Sequence, residues 1–235
     1  LSQGLPGMTI VGLPDTSVGE SRDRVRAAVL NSKLAWPAER RITVGLSPAS
    51  IHKRGAALDL GIALAILSAH SQVPEISNTI AVGELALDGQ VRPVRGVLVA
   101  ALAAHRRGYE KLIVPISQVS EAQLIPGITV IGVRTLLDAV AYLHGELLEV
   151  PQPQPLVNSA QIVPDLSDVR GQSNARHALE IAAAGGHHLA FLGSPGVGKT
   201  MLAQRLPGLL PQLTDEQAVE VTAIYSAAGL LALGQ

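Results

Sequence analysis

The sequence predicts an α+β domain followed by the opening of an α/β domain, and three observations carry that reading. Short apolar strands alternate with helices through residues 1–145, with one hairpin signal among them. A proline-rich stretch at residues 146–167 then breaks the periodic pattern. Beyond it, within residues 168–235, an apolar run, a glycine-rich turn and a helical pattern follow one another directly. Two domains, 1–145 and 168–235, are therefore expected around a linker at 146–167, where alternating Pro151, Pro153 and Pro155 favour an extended, semi-rigid connector.

The elements of the first block follow from periodicity. Met8–Val11 reads as a strand, and Thr16–Leu30 as an amphipathic helix with Val18, Val25, Ala28 and Val29 on its apolar side. Ile42–Leu46 is a strand. Leu58–Ala69 is apolar almost all round, which predicts a buried helix. Thr79–Val82 is a strand, and Glu84–Val91 holds an Asp88-Gly89 turn between apolar flanks, the signature of a hairpin. Helix Val97–Arg107, strand Lys111–Val114, short helix Val119–Leu124, strand Thr129–Val133 and helix Leu136–Leu143 complete the block. Mixed strands with one hairpin argue for a mixed sheet rather than a doubly wound parallel one.

Composition sets bounds on the function. The chain of 235 residues is 47% hydrophobic and 16% charged, so a sizeable core can form. One Trp, one Phe and three Tyr leave Ala, Leu, Val and Ile to fill it. The absence of cysteine excludes disulfides and thiolate metal sites. No apolar run reaches membrane-spanning length and no signal peptide is visible, so no membrane partner is expected.

In the second block, Ser173 is placed to cap a helix running to Ala184. His188–Leu192 reads as a buried strand, and Thr200–Leu206 as a helix. Between them stands Gly193-Ser194-Pro195-Gly196-Val197-Gly198-Lys199-Thr200, which fills every fixed position of the P-loop pattern. Strand, glycine-rich turn and helix N-terminus together trap anions, because N–H groups converge and the helix dipole favours negative charge. The chain is thus expected to bind a nucleoside triphosphate, ATP with Mg2+, which argues for a cytoplasmic protein. The N–H groups of Gly196, Val197, Gly198 and Lys199 cradle phosphate, and Lys199 supplies a point charge to the β- and γ-phosphates. Thr200 offers its hydroxyl to Mg2+. His187 and His188 are adjacent where the strand begins and face opposite sides, so a turn role outweighs a shared metal ion. Thr214-Asp215-Glu216-Gln217 is a capping box opening a last helix. No apolar strand ending in Asp or Glu follows Thr200, so the sequence is expected to stop inside its catalytic domain and to hydrolyse ATP inefficiently alone.

Several stretches resemble the YifB/ComM family of magnesium-chelatase-like AAA+ ATPases. They are Gly4–Asp15, Glu20–Val25, Asp168–Gln172 and Gly185–His188, followed by the P-loop, and the likeness covers nearly the whole chain. The resemblance implies a Lon-protease-like first domain, with the fold of the second domain of ribosomal protein S5, and then the start of an α/β P-loop AAA+ domain. It implies self-assembly into a ring, a hexamer in the full-length protein, and, in the competence member, ATP-driven DNA branch migration. It also places Gln172, with Gly171, near the adenine. Lon-type peptidases join a Ser nucleophile to a Lys amine. The matching stretches put Asp59 and Ala100 in those places, so no protease substrate is expected. Ser47, Ser50 and Lys53 are more simply a turn after a strand.

Net charge is −1, but its distribution is uneven. Between residues 22 and 54, eight basic residues stand against Asp23 and Glu39. Arg22, Arg24, Arg26, Arg40, Arg41, Lys53 and Arg54 are the candidate DNA contacts among them, with a solvated helix face as the plain alternative. Three functions stay open: an ATP-driven DNA-remodelling motor, a chelatase-type ATPase subunit, and a nucleotide-dependent DNA-docking or assembly module. Stimulation of hydrolysis by DNA and not by porphyrin separates the first two.

Overall fold

Asp15 starts the first helix. It stands in extended backbone and its carboxylate accepts the Val18 N–H at 2.8 Å, so α1 runs Thr16–Asn31 in this computed structural model. The structure describes residues 1–147 and 163–230, so the linker prolines 151, 153 and 155 lie outside the described residues. The chain divides into two compact units, Leu1–Pro155 with Val219–Gln235, and Leu156–Ala218.

In the first unit, α1 buries Val18, Ser21, Val25, Ala28 and Val29 along one face. The strands around it, β1 (Gly7–Val11) and β2 (Arg41–Gly45), pair in parallel with Met8 opposite Ile42. Next comes α2 (Asp59–Ala69), buried on most sides as its composition predicts. There follow β3 (Thr79–Ala81), the hairpin strands β4 (Glu84–Leu85) and β5 (Val91–Arg92), and α3 (Val97–Arg106). β6 (Lys111–Pro115), a short 3-10 turn, the single turn α4 (Val119–Ala122), β7 (Thr129–Val133) and α5 (Leu136–Leu143) complete the series. Thr135 and Asp138 form a reciprocal capping box at the start of α5.

β3, β6 and β7 form a parallel sheet with β6 in the centre. Alternation along its strands builds two cores. Ile113, Ile131 and Val133 join α1, α2 and α5 on one face. Leu112, Val114 and Val130 join α3 and α4 on the other. Because both faces are covered, these strands are near-continuous apolar runs.

The expected mixed sheet is not formed. Among the described residues, the parallel strands and the antiparallel hairpin make three separate sheets. β4 and β5 have two residues each; Gly83 C=O accepts the Leu60 N–H, and Val91 N–H donates to Arg134 C=O within an isolated antiparallel bridge, Gln90 to Thr135, just past β7.

The described residues of the second unit form a 3-10 turn, Leu166–Asp168, then α6 (Ser173–Gly185) and α7 (Lys199–Ala203). Leu166, Val169, Leu179 and Leu202 form its core, with Phe191, Leu206 and Leu209 packed against it. The N-cap of α6 is Gln172, in left-handed backbone, and not Ser173. The apolar run His188–Leu192 is not a strand either. Such a run becomes a strand only when a neighbour takes up its N–H and C=O groups, and no described residue does so; Leu192 is 96% exposed.

A second 3-10 turn, Leu206–Leu209, leads to α8 (Asp215–Ala228), opened by the expected capping box between Thr214 and Gln217. From Val219 onward this helix falls within the first compact unit. There Ala223 joins the α3–α4 core, the Ser226 hydroxyl donates to Glu121, and Gly96 N–H donates to Ser226 C=O at 3.2 Å.

Candidate nucleotide site and basic face

The glycine-rich turn is shaped by two left-handed residues. Gly196 and Gly198 both have φ of +85°, a conformation other residues adopt only under strain. A Cβ at Gly198 would also stand 3.2 Å from Gln172 Nε2 and from Met201 Cε, so both side chains would have to shift slightly. The chain passes from Gly198 straight into α7, so Lys199 and Thr200 open a helix. Lys199 Nζ donates to the carbonyls of Gly193 and Ser194, both at 2.8 Å. Its ammonium is thus held over its own loop. Gln172 Nε2 donates to Val197 C=O at 2.7 Å, which joins the start of α6 to the loop. Gly193, Ser194, Pro195 and Thr200 are exposed around this turn. The donors present fit a nucleoside triphosphate: an ammonium, a hydroxyl and left-handed glycines whose backbone a phosphate can approach closely.

Arg205 ties α7 to the segment around the 3-10 turn Leu166–Asp168 and is not legible as a motif. Its Nε donates to Asp165 C=O at 2.9 Å, Nη1 to Met201 C=O at 2.8 Å, and Nη2 lies 3.6 Å from Asp168. The Asp165 carboxyl is held below its usual range, first by the Ser167 N–H and then by the Ser167 hydroxyl. Arg176 is less solvated than a surface helix charge, with Nε buried and without a hydrogen bond among the described residues. His187 and His188 join no metal-binding group among the described residues.

The basic residues of 22–54 do not share one face. Arg22, Arg26 and Arg40 line a cleft of about 440 Å³ together with Trp36, Met8 and Pro6. Arg22 pairs with Asp23 at 3.2 Å, which holds that carboxyl below its usual range. Arg24 does not belong with them. Its Nε donates to Asp59 at 2.7 Å and its side chain is 18% exposed, so the guanidinium is committed to a buried carboxylate. Arg41 is exposed on β2, where its backbone bonds Ser2. Lys53 donates to Pro48 C=O, and Arg54 lies near Asp15, whose carboxyl is lowered chiefly by the Val18 N–H. Neither lines the cleft. A larger groove of about 930 Å³ runs along α2; Glu75 and His144 are its ionisable lining, and it includes none of these basic residues and no part of the glycine-rich turn.

Asp59 was marked by sequence only as a replacement for a nucleophile. In the fold it is fully buried at the start of α2. It accepts the Ser21 hydroxyl, Arg24 Nε and Nη2 (3.2 Å), and the Leu85 N–H at 3.3 Å.

Two family models match separate stretches of the chain. Residues 1–118 match the family described as subunit ChlI of Mg-chelatase, and residues 165–234 match magnesium chelatase, subunit ChlI. The chain is 45% identical over 233 residues to the competence protein ComM of Haemophilus influenzae, covering 96% of this chain and 45% of that protein. The chain belongs to the YifB/ComM family of magnesium-chelatase-like proteins. YifB of Escherichia coli is 46% identical over 229 residues, covering 96% of this chain and 45% of its own length. A Mycobacterium tuberculosis protein is 52% identical over 233 residues, 98% of this chain and 46% of its own. The chain thus spans a little under half the length of these relatives. A partial likeness to Lon protease of Nitrosococcus oceani, 31% over 126 residues, covers 51% of this chain and 16% of that one. Among the described residues, no helix is long and apolar enough to cross a membrane.

Proposed function

We propose that this chain carries the ATP-binding start of an AAA+ ATPase that remodels DNA, in a protein that assembles with copies of itself into a ring. The observation that carries the reading is the turn Gly193–Thr200, with left-handed glycines at 196 and 198 and Lys199 poised over the loop. Membership of a family with magnesium-chelatase and competence relatives supports it. Bound MgATP supplies the phosphoryl chemistry. The chain's own part is to hold it: N–H groups of residues 196–199 on the phosphates, Lys199 on the β- and γ-phosphates, Thr200 on Mg2+, and Gln172 fixing the loop beside it. Arg22, Arg26, Arg40 and Arg41 are the DNA contacts in this reading, with Lys53 and Arg54 on a separate loop; Arg24 is left to Asp59.

The first unit serves contact and assembly, not peptide cleavage. Asp59 is saturated with donors and Ala100 offers no amine, so no activated nucleophile arises at that position. The test is ATP hydrolysis by the full-length protein. Single-stranded or branched DNA should stimulate it and porphyrin should not, and Lys199→Ala should abolish it. A Lys199→Ala protein that retains DNA-dependent activity would refute the motor.

A further inference from the structure

The cleft on the first unit has a composition that plain phosphate attraction does not require. Trp36, the only tryptophan of the chain, lines it between residues that carry three guanidiniums, Arg22, Arg26 and Arg40. Arg22 and Arg26 stand one turn apart on α1, and Arg40 immediately precedes β2. One carboxylate, Asp23, shares the lining, and it is paired with Arg22. Glu39 is adjacent in sequence but does not line the cleft. Arg26 and Arg40 make no side-chain hydrogen bond or ion pair among the described residues. Trp36 is half-buried and, with Met8, Leu34 and Val44, packs against the core that includes Val25, Val29 and Ile42, and Pro37 beside it is buried. The indole is therefore held in place, at the wall of a basic cleft.

Size narrows the occupant. About 440 Å³ lies in the range of small-ligand pockets, enough for one flat heterocycle with its sugar. A duplex offers such a cleft only phosphates, because its bases are stacked inside. An acidic peptide satisfies the arginines and leaves the indole unused. An unpaired nucleotide uses both, with its base on the aromatic ring and its flanking phosphates on the guanidinium forks.

We infer that this cleft is a single-strand nucleic-acid subsite: one unpaired base packs on Trp36 while Arg26 and Arg40, with Arg22, hold the adjoining phosphates. The inference rests on the DNA-contact reading above and specifies where and in what form DNA is held. Stacking tolerates any base, so the site reads strandedness and not sequence.

The sole tryptophan makes the test direct. The 235-residue chain is titrated with a fluorescein-labelled 20-mer of thymidine, followed by anisotropy, and with the unlabelled 20-mer, followed by tryptophan emission. Binding with quenching is expected, and Trp36→Leu should weaken affinity about 5- to 100-fold, while Trp36→Phe should stay within about threefold. Arg26→Gln with Arg40→Gln should lower the slope of log affinity against log salt by about 1.4. Far-UV circular dichroism confirms that each variant is folded. Anisotropy binding without quenching, and unchanged in folded Trp36→Leu, would overturn the subsite and leave DNA contact standing. No anisotropy change at any salt concentration would overturn both. Equal quenching by a duplex of the same length, or by a poly-glutamate peptide, would also overturn the inference.

Discussion

Replacing Arg24 with Met tests the buried ion pair on which the first unit is built. The variant keeps the apolar stem of the side chain and removes the guanidinium. Asp59 then remains fully buried, with only the Ser21 hydroxyl and the Leu85 N–H as donors. Removing one partner of a buried pair costs about 3–5 kcal/mol. Arg24 is 18% exposed and Asp59 keeps two neutral donors, which places the loss at the lower end, about 3 kcal/mol. For a chain of this size that lowers Tm by about 6–12 °C. The assay is urea unfolding followed by emission of Trp36, which packs against the same core as α1 and α2. Arg24→Met combined with Asp59→Leu removes both charges, and should recover about half the loss, the remainder reflecting the unpaired Ser21 hydroxyl and Leu85 N–H. A loss below about 1 kcal/mol, or a double variant that shows no coupling, would refute the assignment of Arg24 to Asp59.

Three further outcomes follow from the structure. Lys199→Ala should weaken binding of a fluorescent ATP analogue at least tenfold while leaving the Trp36-detected unfolding midpoint unchanged, since Lys199 bonds only carbonyls of its own loop. Gly132→Ala should cost about 1–3 kcal/mol in the same unfolding assay, because a Cβ there would stand 2.5 Å from Val119 Cγ2 and 2.7 Å from Ile116 Cδ1. The Asp15 carboxyl is lowered chiefly by the Val18 N–H, so its contribution is present above the ordinary carboxylate value of 3.8 and is lost as pH falls below it. Asp15→Asn should therefore show a shallower loss of stability between pH 4 and pH 2 than the parent, measured by thermal unfolding across that range.

Periodicity made most of the first unit legible. The strands and helices from Met8 to Leu143 lie within a residue or two of where alternation and helical spacing place them. What periodicity cannot reveal is pairing. The hairpin meets the residues past β7 through the bonds of Gly89 and Val91 to Leu136 and Arg134, and those partners are distant in sequence. His188–Leu192 is apolar enough for a strand but has no described neighbour to complete it. The glycine-rich turn was legible because its chemistry is local, eight consecutive residues. Arg205 was not, since its partners Asp165 and Asp168 lie 40 and 37 residues away.

The division of the arginines was legible in principle and shows what one helix does here. Residues 22 and 26 are four apart and share a side of α1, whereas residue 24 points some 200° away from residue 22. A run of Arg-x-Arg-x-Arg is therefore two surfaces and not one charged face. The inner surface, through Arg24 and Ser21, fastens α1 to Asp59 at the head of α2 and so to Leu85 in the hairpin. The outer surface places Arg22 and Arg26 in the cleft with Trp36. Because the inner contacts fix the rotation of the helix about its axis, they also fix where the outer guanidiniums stand. The buried carboxylate of Asp59 is thus a structural pin, and the rigidity it confers is what a preorganised binding cleft on the opposite side of α1 requires.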